Sequence, residues 1–263
     1  MLWMQPPRHR HVLPKGGIPA MSSSSDHASA VLGLVEREAV EAEDFPSVVG
    51  HLQRLCRAAR RDLPASGVGV SVVSERGSLL TVAASSPRTT RIEELQFALG
   101  EGPCLSAIAS NLSVLMPDLA LDGPARWPGY TPAAHRHGVR AVFAFPLRAG
   151  TARLGALDVY RDEPGLLSSW TNERALGYAE VACQAMLEAQ ESGDLLAGLV
   201  DASETRFEVY QAQGMVMVQL GASAEGALAR IRAHAYLHDQ SLVQVAQSII
   251  ARRLTLEPDE AGP

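Results

Sequence analysis

Two neighbouring runs decide the fold: Ala141-Val142-Phe143-Ala144-Phe145-Pro146-Leu147 and Leu154-Gly155-Ala156-Leu157-Asp158-Val159-Tyr160, joined by Ala149-Gly150-Thr151. Short apolar runs rich in Val and Phe, bounded by a Gly-containing turn, read as paired antiparallel strands. Upstream, Val68-Gly69-Val70-Ser71-Val72-Val73 and Leu79-Leu80-Thr81-Val82-Ala83-Ala84 flank Glu75-Arg76-Gly77 and read as a second hairpin, with a short strand at Ser113-Val114-Leu115-Met116 between the two. From Asp44 to Leu63, Val48, Val49, Leu52, Leu55, Cys56 and Ala59 recur every three or four residues, the period of an amphipathic helix. Another helix follows Ser168 and Ser169, with Leu176, Ala179, Cys183, Met186 and Leu187 on its apolar face. A short helical piece spans Ile92 to Leu99. The two glycines and the proline of Gly100-Glu101-Gly102-Pro103-Cys104 impose an irregular backbone before Cys104 to Ser110 turns helical, and Asp122 to Tyr130 reads as a polar loop. These elements make one α+β unit over residues 45–189, an antiparallel sheet flanked by helices.

Beyond residue 189 the strand signal stops. Leu196, Val200, Ser203, Phe207, Tyr210, Gly214 and Met217 alternate spacings of four and three, a seven-residue repeat that suits either a paired helix or one packed on its own domain. Gly221 ends that helix, and Ser223 caps one that turns Ala227, Leu228, Ile231 and Ala235 inward. Ser241-Leu242-Val243-Gln244 is a capping box for a last helix carrying Leu242, Val245, Ala246 and Ile249. Residues 196–256 thus form a small all-α three-helix bundle joined by a connector at 190–201. Residues 1–29 lack apolar periodicity and read as disordered, with Met21 a second candidate start, and 257–263 form an acidic tail.

The 263 residues are 46% hydrophobic and carry a formal net charge of −6, so coating a polyanion with a basic surface is excluded. No apolar run reaches the roughly 18–20 residues of a membrane span. Cys56, Cys104 and Cys183 are scattered and form no C-x-x-C pair, which argues against disulfides and structural zinc and suits a cytoplasmic setting. Neither cofactor nor metal is expected. Phosphate-loop, H-E-x-x-H and G-x-S-x-G motifs are absent, and the adjacent carboxylates Glu93 and Glu94 diverge on a helix, so no enzyme is expected. Cys104 stands at a helix start, where amide dipoles would lower its pKa and make it a candidate redox sensor; a packed small hydrophobe is the competing reading. Arg232 and Tyr236, four apart, share a helix face with Ala229 and Ala233, a surface able to contact a phosphate and stack on an unpaired base. Five arginines stand against four acidic residues over 203–256.

The blocks Gln211-Ala212-Gln213-Gly214-Met215-Val216-Met217, Ser223 to Ala235 and Leu242-Val243-Gln244-Val245-Ala246 resemble the ANTAR domain, a three-helix RNA-binding module of bacterial antitermination regulators. Residues 45–189, with Gly100 to Cys104 and the strands around Val142 and Leu157, resemble a GAF sensory domain. Together they are similar to the GAF and ANTAR domain proteins of actinobacteria. The resemblance implies a homodimer built through a coiled coil, with Leu196, Val200, Phe207, Tyr210 and Met217 on its seam. It also implies hairpin RNA in nascent transcripts as partner and an unidentified small molecule at the GAF domain. Carried over by position, Ala212, Gly214, Arg232, Ala233, Tyr236 and Ser241 stand nearest the RNA. Gln213 and Gln219 depart from the family's frequent Lys and Arg, and each lost charge removes one counterion-releasing contact. A protein-interaction module that binds no RNA is the other reading.

Overall fold

The structure is a computed structural model that describes residues 24–41, 47–73, 79–192, 204–238 and 240–257. Five strands form one antiparallel sheet: β1 (Gly67–Val73), β2 (Leu79–Ala84), β3 (Val114–Met116), β4 (Ala141–Ala149) and β5 (Ala152–Arg161), in the order β2-β1-β5-β4-β3. The deciding hairpin pairs as read, with Phe143 opposite Val159 and Phe145 opposite Leu157. β5 also pairs with β1, which places Gly69 opposite Asp158 and Ser71 opposite Ala156. No side chain fits at Gly155, because a Cβ there would overlap the β1 backbone at Ser71 and Val72. The expected turn at 75–77 lies outside the described residues.

One face of the sheet carries α1 (Ser24–Arg37), α2 (Val48–Asp62) and α7 (Ser169–Ser192). All six apolar residues read onto the α2 face are buried. On α7 Ala179 and Met186 are buried as read, but the rest is corrected: Leu176 is exposed and Cys183 and Leu187 are only half-buried, while Ala175, Tyr178 and Ala182 also face the core. The reason is that α7 is covered from a second side by α1, so its buried surface is wider than one amphipathic stripe. Residues 24–29, read as part of the disordered segment, belong to α1, which buries Val31 and Val35 completely. Gly177 lets it approach, since a Cβ there would come within 3.2 Å of the His27 backbone.

The other face carries α3 (Pro87–Leu99), α4 (Pro103–Ser110), α5 (Leu119–Arg126) and α6 (Tyr130–Arg136). α5 replaces the first part of the expected loop, because Asp118 accepts from the Ala120 amide and caps it, and Leu119 is fully buried. The C-terminal helices are α8 (Glu204–Leu220), α9 (Ala224–Leu237) and α10 (Leu242–Ile250). Gly221 (φ 62°) follows α8, the Ser223 hydroxyl caps α9, and both halves of the Ser241/Gln244 capping box form. None of the described helices is long and apolar enough to cross a membrane.

Candidate functional site

The three-helix bundle packs its own core from Val209, Ala212, Val216, Ala227, Ile231, Val245 and Ala246, and this core continues into the sheet domain through Phe97, Cys104 and Ile108. Phe97, at the end of α3, is the centre of that junction. Tyr210 meets its ring edge-on at 6.3 Å, the Arg206 guanidinium lies 4.1 Å from its centroid and that of Arg232 5.3 Å. Arg206 also donates to the Leu79 carbonyl, and Arg232 Nε donates to the Phe97 carbonyl at 2.9 Å. Gly100, in the left-handed region at φ 71°, leaves the room that Arg232 occupies. Loss of solvent lowers the pKa of both arginines, yet each keeps a carbonyl and an aromatic face as partners.

Beside this junction a cleft of about 450 Å³ opens between the domains. Arg232, Tyr236 and Ser241 line it from the bundle, and Arg91, Arg136 and His137 from the sheet domain. Burial, together with the guanidinium groups of Arg91, Arg136 and Arg88, depresses the pKa of His137, as expected in a positive field. The cleft therefore offers cations and a tyrosine, 69% exposed, on one wall-to-wall surface.

The positions expected nearest RNA do not all gather here. Arg232, Tyr236 and Ser241 do, and Ala233 is exposed on the same helix as the first two. Ala212 is fully buried in the bundle core, where no ligand reaches it. Gly214 lines a different groove, with Val218 and Arg252, and a Cβ there would meet nothing within 4 Å. Ser241 spends its hydroxyl on the Gln244 amide. Of the seam residues, Leu196 and Val200 lie outside the described residues; Phe207 is 70% exposed, Met217 is half-buried against the bundle core, and Tyr210 is turned onto Phe97. Sequence reasoning missed Arg206, Phe97, Arg91 and Arg136, whose placement depends on the two domains meeting.

A second constellation lies inside the sheet domain. Glu93 from α3, Cys104 from α4 and Asp158 from β5 are fully buried, and one ligand-capable atom of each falls within 4.8 Å of the others. Ser71 and Tyr160 each donate to Glu93 at 2.9 Å, while Gln96 donates to Asp158 Oδ2 at 2.7 Å. The Gly100 to Cys104 segment organises this region. The Gln96 side-chain carbonyl accepts from the Cys104 amide at 2.8 Å, and Glu101 accepts from the Gly129 and Tyr130 amides, fixing the start of α6. Burial, reinforced by Asp158, pushes the Glu93 carboxyl up, and burial raises Asp158. The expectation of a lowered Cys104 pKa is reversed: burial and the two facing carboxylates push the thiol up, overriding the helix start. Gly69 was the sequence signal for this cluster, because an added methyl would overlap the Glu93 carboxylate.

Comparison with known proteins agrees with this division. Residues 50–179 match the GAF domain family and residues 197–250 the ANTAR domain family. Among solved structures, the chain is similar to the GAF domain of a phosphoenolpyruvate-protein phosphotransferase from Coxiella burnetii, at 15% identity and TM-score 0.50, over 63% of this chain and 98% of that one. The corresponding Acinetobacter GAF domain is 13% identical, with TM-score 0.48, over 66% and 99%. None of the curated proteins matches. The chain is thus a member of the proteins that join a GAF domain to a C-terminal ANTAR domain.

Proposed function

We propose that this protein is a signal-responsive regulator that binds hairpin RNA through its ANTAR bundle under the control of its GAF domain. The observation that carries the reading is the cleft in which Arg232 and Tyr236 of the ANTAR bundle face Arg91 and Arg136 of the GAF domain. Arginines bind phosphate bidentately, and an exposed tyrosine offers an unpaired loop base a stacking surface. The GAF wall sets Arg91 and Arg136 against Glu94 and so adds a small net positive charge to the near-neutral bundle.

Control follows from the same junction. With Arg232 bonded to the Phe97 carbonyl, its guanidinium is partly committed to the GAF domain. A signal that moves α3 changes Phe97, and with it the poses of Arg206, Tyr210 and Arg232 together. RNA and the GAF signal then bias one two-state contact, which is the physical requirement for coupling. Two copies pairing along α8, where Phe207, Gly214 and Val218 are exposed at spacings of seven and four, would present two such clefts to paired RNA loops. That strip is also what favours the second reading, a docking module without RNA.

Filter binding of the full chain to a stem-loop RNA across a salt series tests the proposal. Affinity should fall linearly against log salt, and Arg232→Ala should flatten the slope by about one. Absence of binding at low salt would replace this reading with the docking module.

A further inference from the structure

The two carboxylates inside the GAF domain present an unresolved charge problem. Glu93 and Asp158 are both completely buried, and among the described residues neither has an ion-pair partner. Asp158 Oδ2 accepts from Gln96 and Tyr160, but Oδ1 accepts no aligned hydrogen bond, although the Cys104 thiol stands beside it. The Tyr130 hydroxyl, also fully buried, is close enough to feel Asp158, Glu93 and Cys104, and it makes no aligned hydrogen bond, although the Tyr160 hydroxyl stands beside it. Unpaired buried polar atoms are costly and uncommon in native interiors. Here two of them converge with a thiol and a second carboxylate.

We infer that Glu93, Cys104 and Asp158 form a binding site for one divalent transition-metal ion of the zinc or iron(II) kind. Three observations favour an ion. The donor atoms already stand within 4.8 Å of one another. Ligands about 2.0–2.3 Å from a tetrahedral ion are separated by about 3.3–3.8 Å, so side-chain movements of about 1–1.5 Å at most close the triangle. The donors come from three elements that are each held in place: α3 by the room left at Gly69, α4 by the bond that ties Cys104 to Gln96 of α3, and β5 by pairing on both edges. Their surroundings also hold them, since Ser71 and Tyr160 orient Glu93 while Gln96 and Tyr160 orient Asp158.

The donor set selects the metal. A thiolate excludes magnesium and calcium, which take oxygen ligands, and two carboxylates disfavour copper(I). Binding displaces the proton of the Cys104 thiol and those held by the carboxyl groups to solvent, and the ion's two positive charges offset two of the three negative charges so formed. The Arg206 guanidinium, whose field already reaches Glu93, supplies a further positive charge from the ANTAR side. Three protein donors leave a tetrahedral ion one further position. The site stands or falls without any RNA binding.

The test uses the full chain, untagged and stripped of metal, titrated with cobalt(II) as the probe. We expect one equivalent to bind, with a near-ultraviolet thiolate-to-cobalt charge-transfer band and a raised melting temperature. Cys104→Ser should abolish the band, Asp158→Asn should weaken binding about 10-fold or more, and Cys183→Ser should leave both intact. A wild-type chain that shows no such band, or a band lost in Cys183→Ser rather than Cys104→Ser, overturns the inference. The wild-type titration decides the matter even if a cluster variant fails to fold. Histidine-only binding near the N-terminus, at His9 or His11, would give no thiolate band and would count against the site.

Discussion

If Phe97 joins the two domains as described, it and Arg206 are energetically coupled, and a double-mutant cycle measures by how much. Arg206 is 7% exposed and its guanidinium carbon is 4.1 Å from the Phe97 ring centroid. Cation–π contacts are worth about 0.5–1 kcal/mol when exposed and about 2 kcal/mol when desolvated; the burial of Arg206 puts this pair near the upper figure. Phe97→Leu keeps most of the volume and removes the ring, while Arg206→Leu keeps an apolar stem and removes the charge. The bond from Arg206 to the Leu79 carbonyl is lost in both Arg206 arms and cancels in the cycle. Urea unfolding of the four proteins should give a coupling of about 1.5–2 kcal/mol, between a 10-fold and a 30-fold effect on the equilibrium constant. Effects that add to within about 0.5 kcal/mol would refute the junction, because residues that do not touch behave that way.

Three further outcomes follow from the geometry. Gly69→Ala drives a methyl into the Glu93 carboxylate and should cost about 1–3 kcal/mol of stability in thermal or urea unfolding, whereas an unchanged midpoint would mean that Glu93 does not lie over β1. Ser241→Ala removes one half of the capping box and should cost about 1 kcal/mol while leaving RNA affinity within a factor of a few; a large affinity loss at unchanged stability would give that hydroxyl an RNA contact instead. If two copies pair along α8, Phe207→Asp should shift the sedimentation mass from dimer toward monomer, and an unshifted dimer would move the seam elsewhere.

The last two helices of the C-terminal bundle are legible because their signals are local, whereas the seven-residue repeat along α8 does not pick out Val209, Ala212 and Val216, the face that it buries. Ser223, Gly221 and the Ser241/Gln244 pair act over three or four residues, and the apolar stripes of α9 and α10 follow a single helical period. The strands were legible for a similar reason. What escaped depends on distance along the chain. Glu93 reads only as one of two adjacent carboxylates that diverge on a helix, and nothing local tells that β1 and β5 pair so that Asp158 lies opposite Gly69 beneath it. The second half of α5 reads as a loop because Asp122, Gly123 and Pro124 mimic turn chemistry, while the cap that permits the helix, Asp118, sits a few residues earlier. Cys104 was assigned a lowered pKa from its helix start alone; the carboxylates that reverse the shift come from α3 and β5. Ala212 was placed near RNA by position, and its helix turns it into the bundle instead.

The most direct test of the regulatory account is crosslinking of the full chain to transcripts in cells, with sequencing of the recovered RNA and mapping of the crosslinked peptides. The account predicts reads concentrated in paired stem-loops and adducts within residues 229–243, with recovery sharply reduced for Arg232→Ala. Recovery spread evenly over transcripts, or equal for wild type and Arg232→Ala, would contradict it.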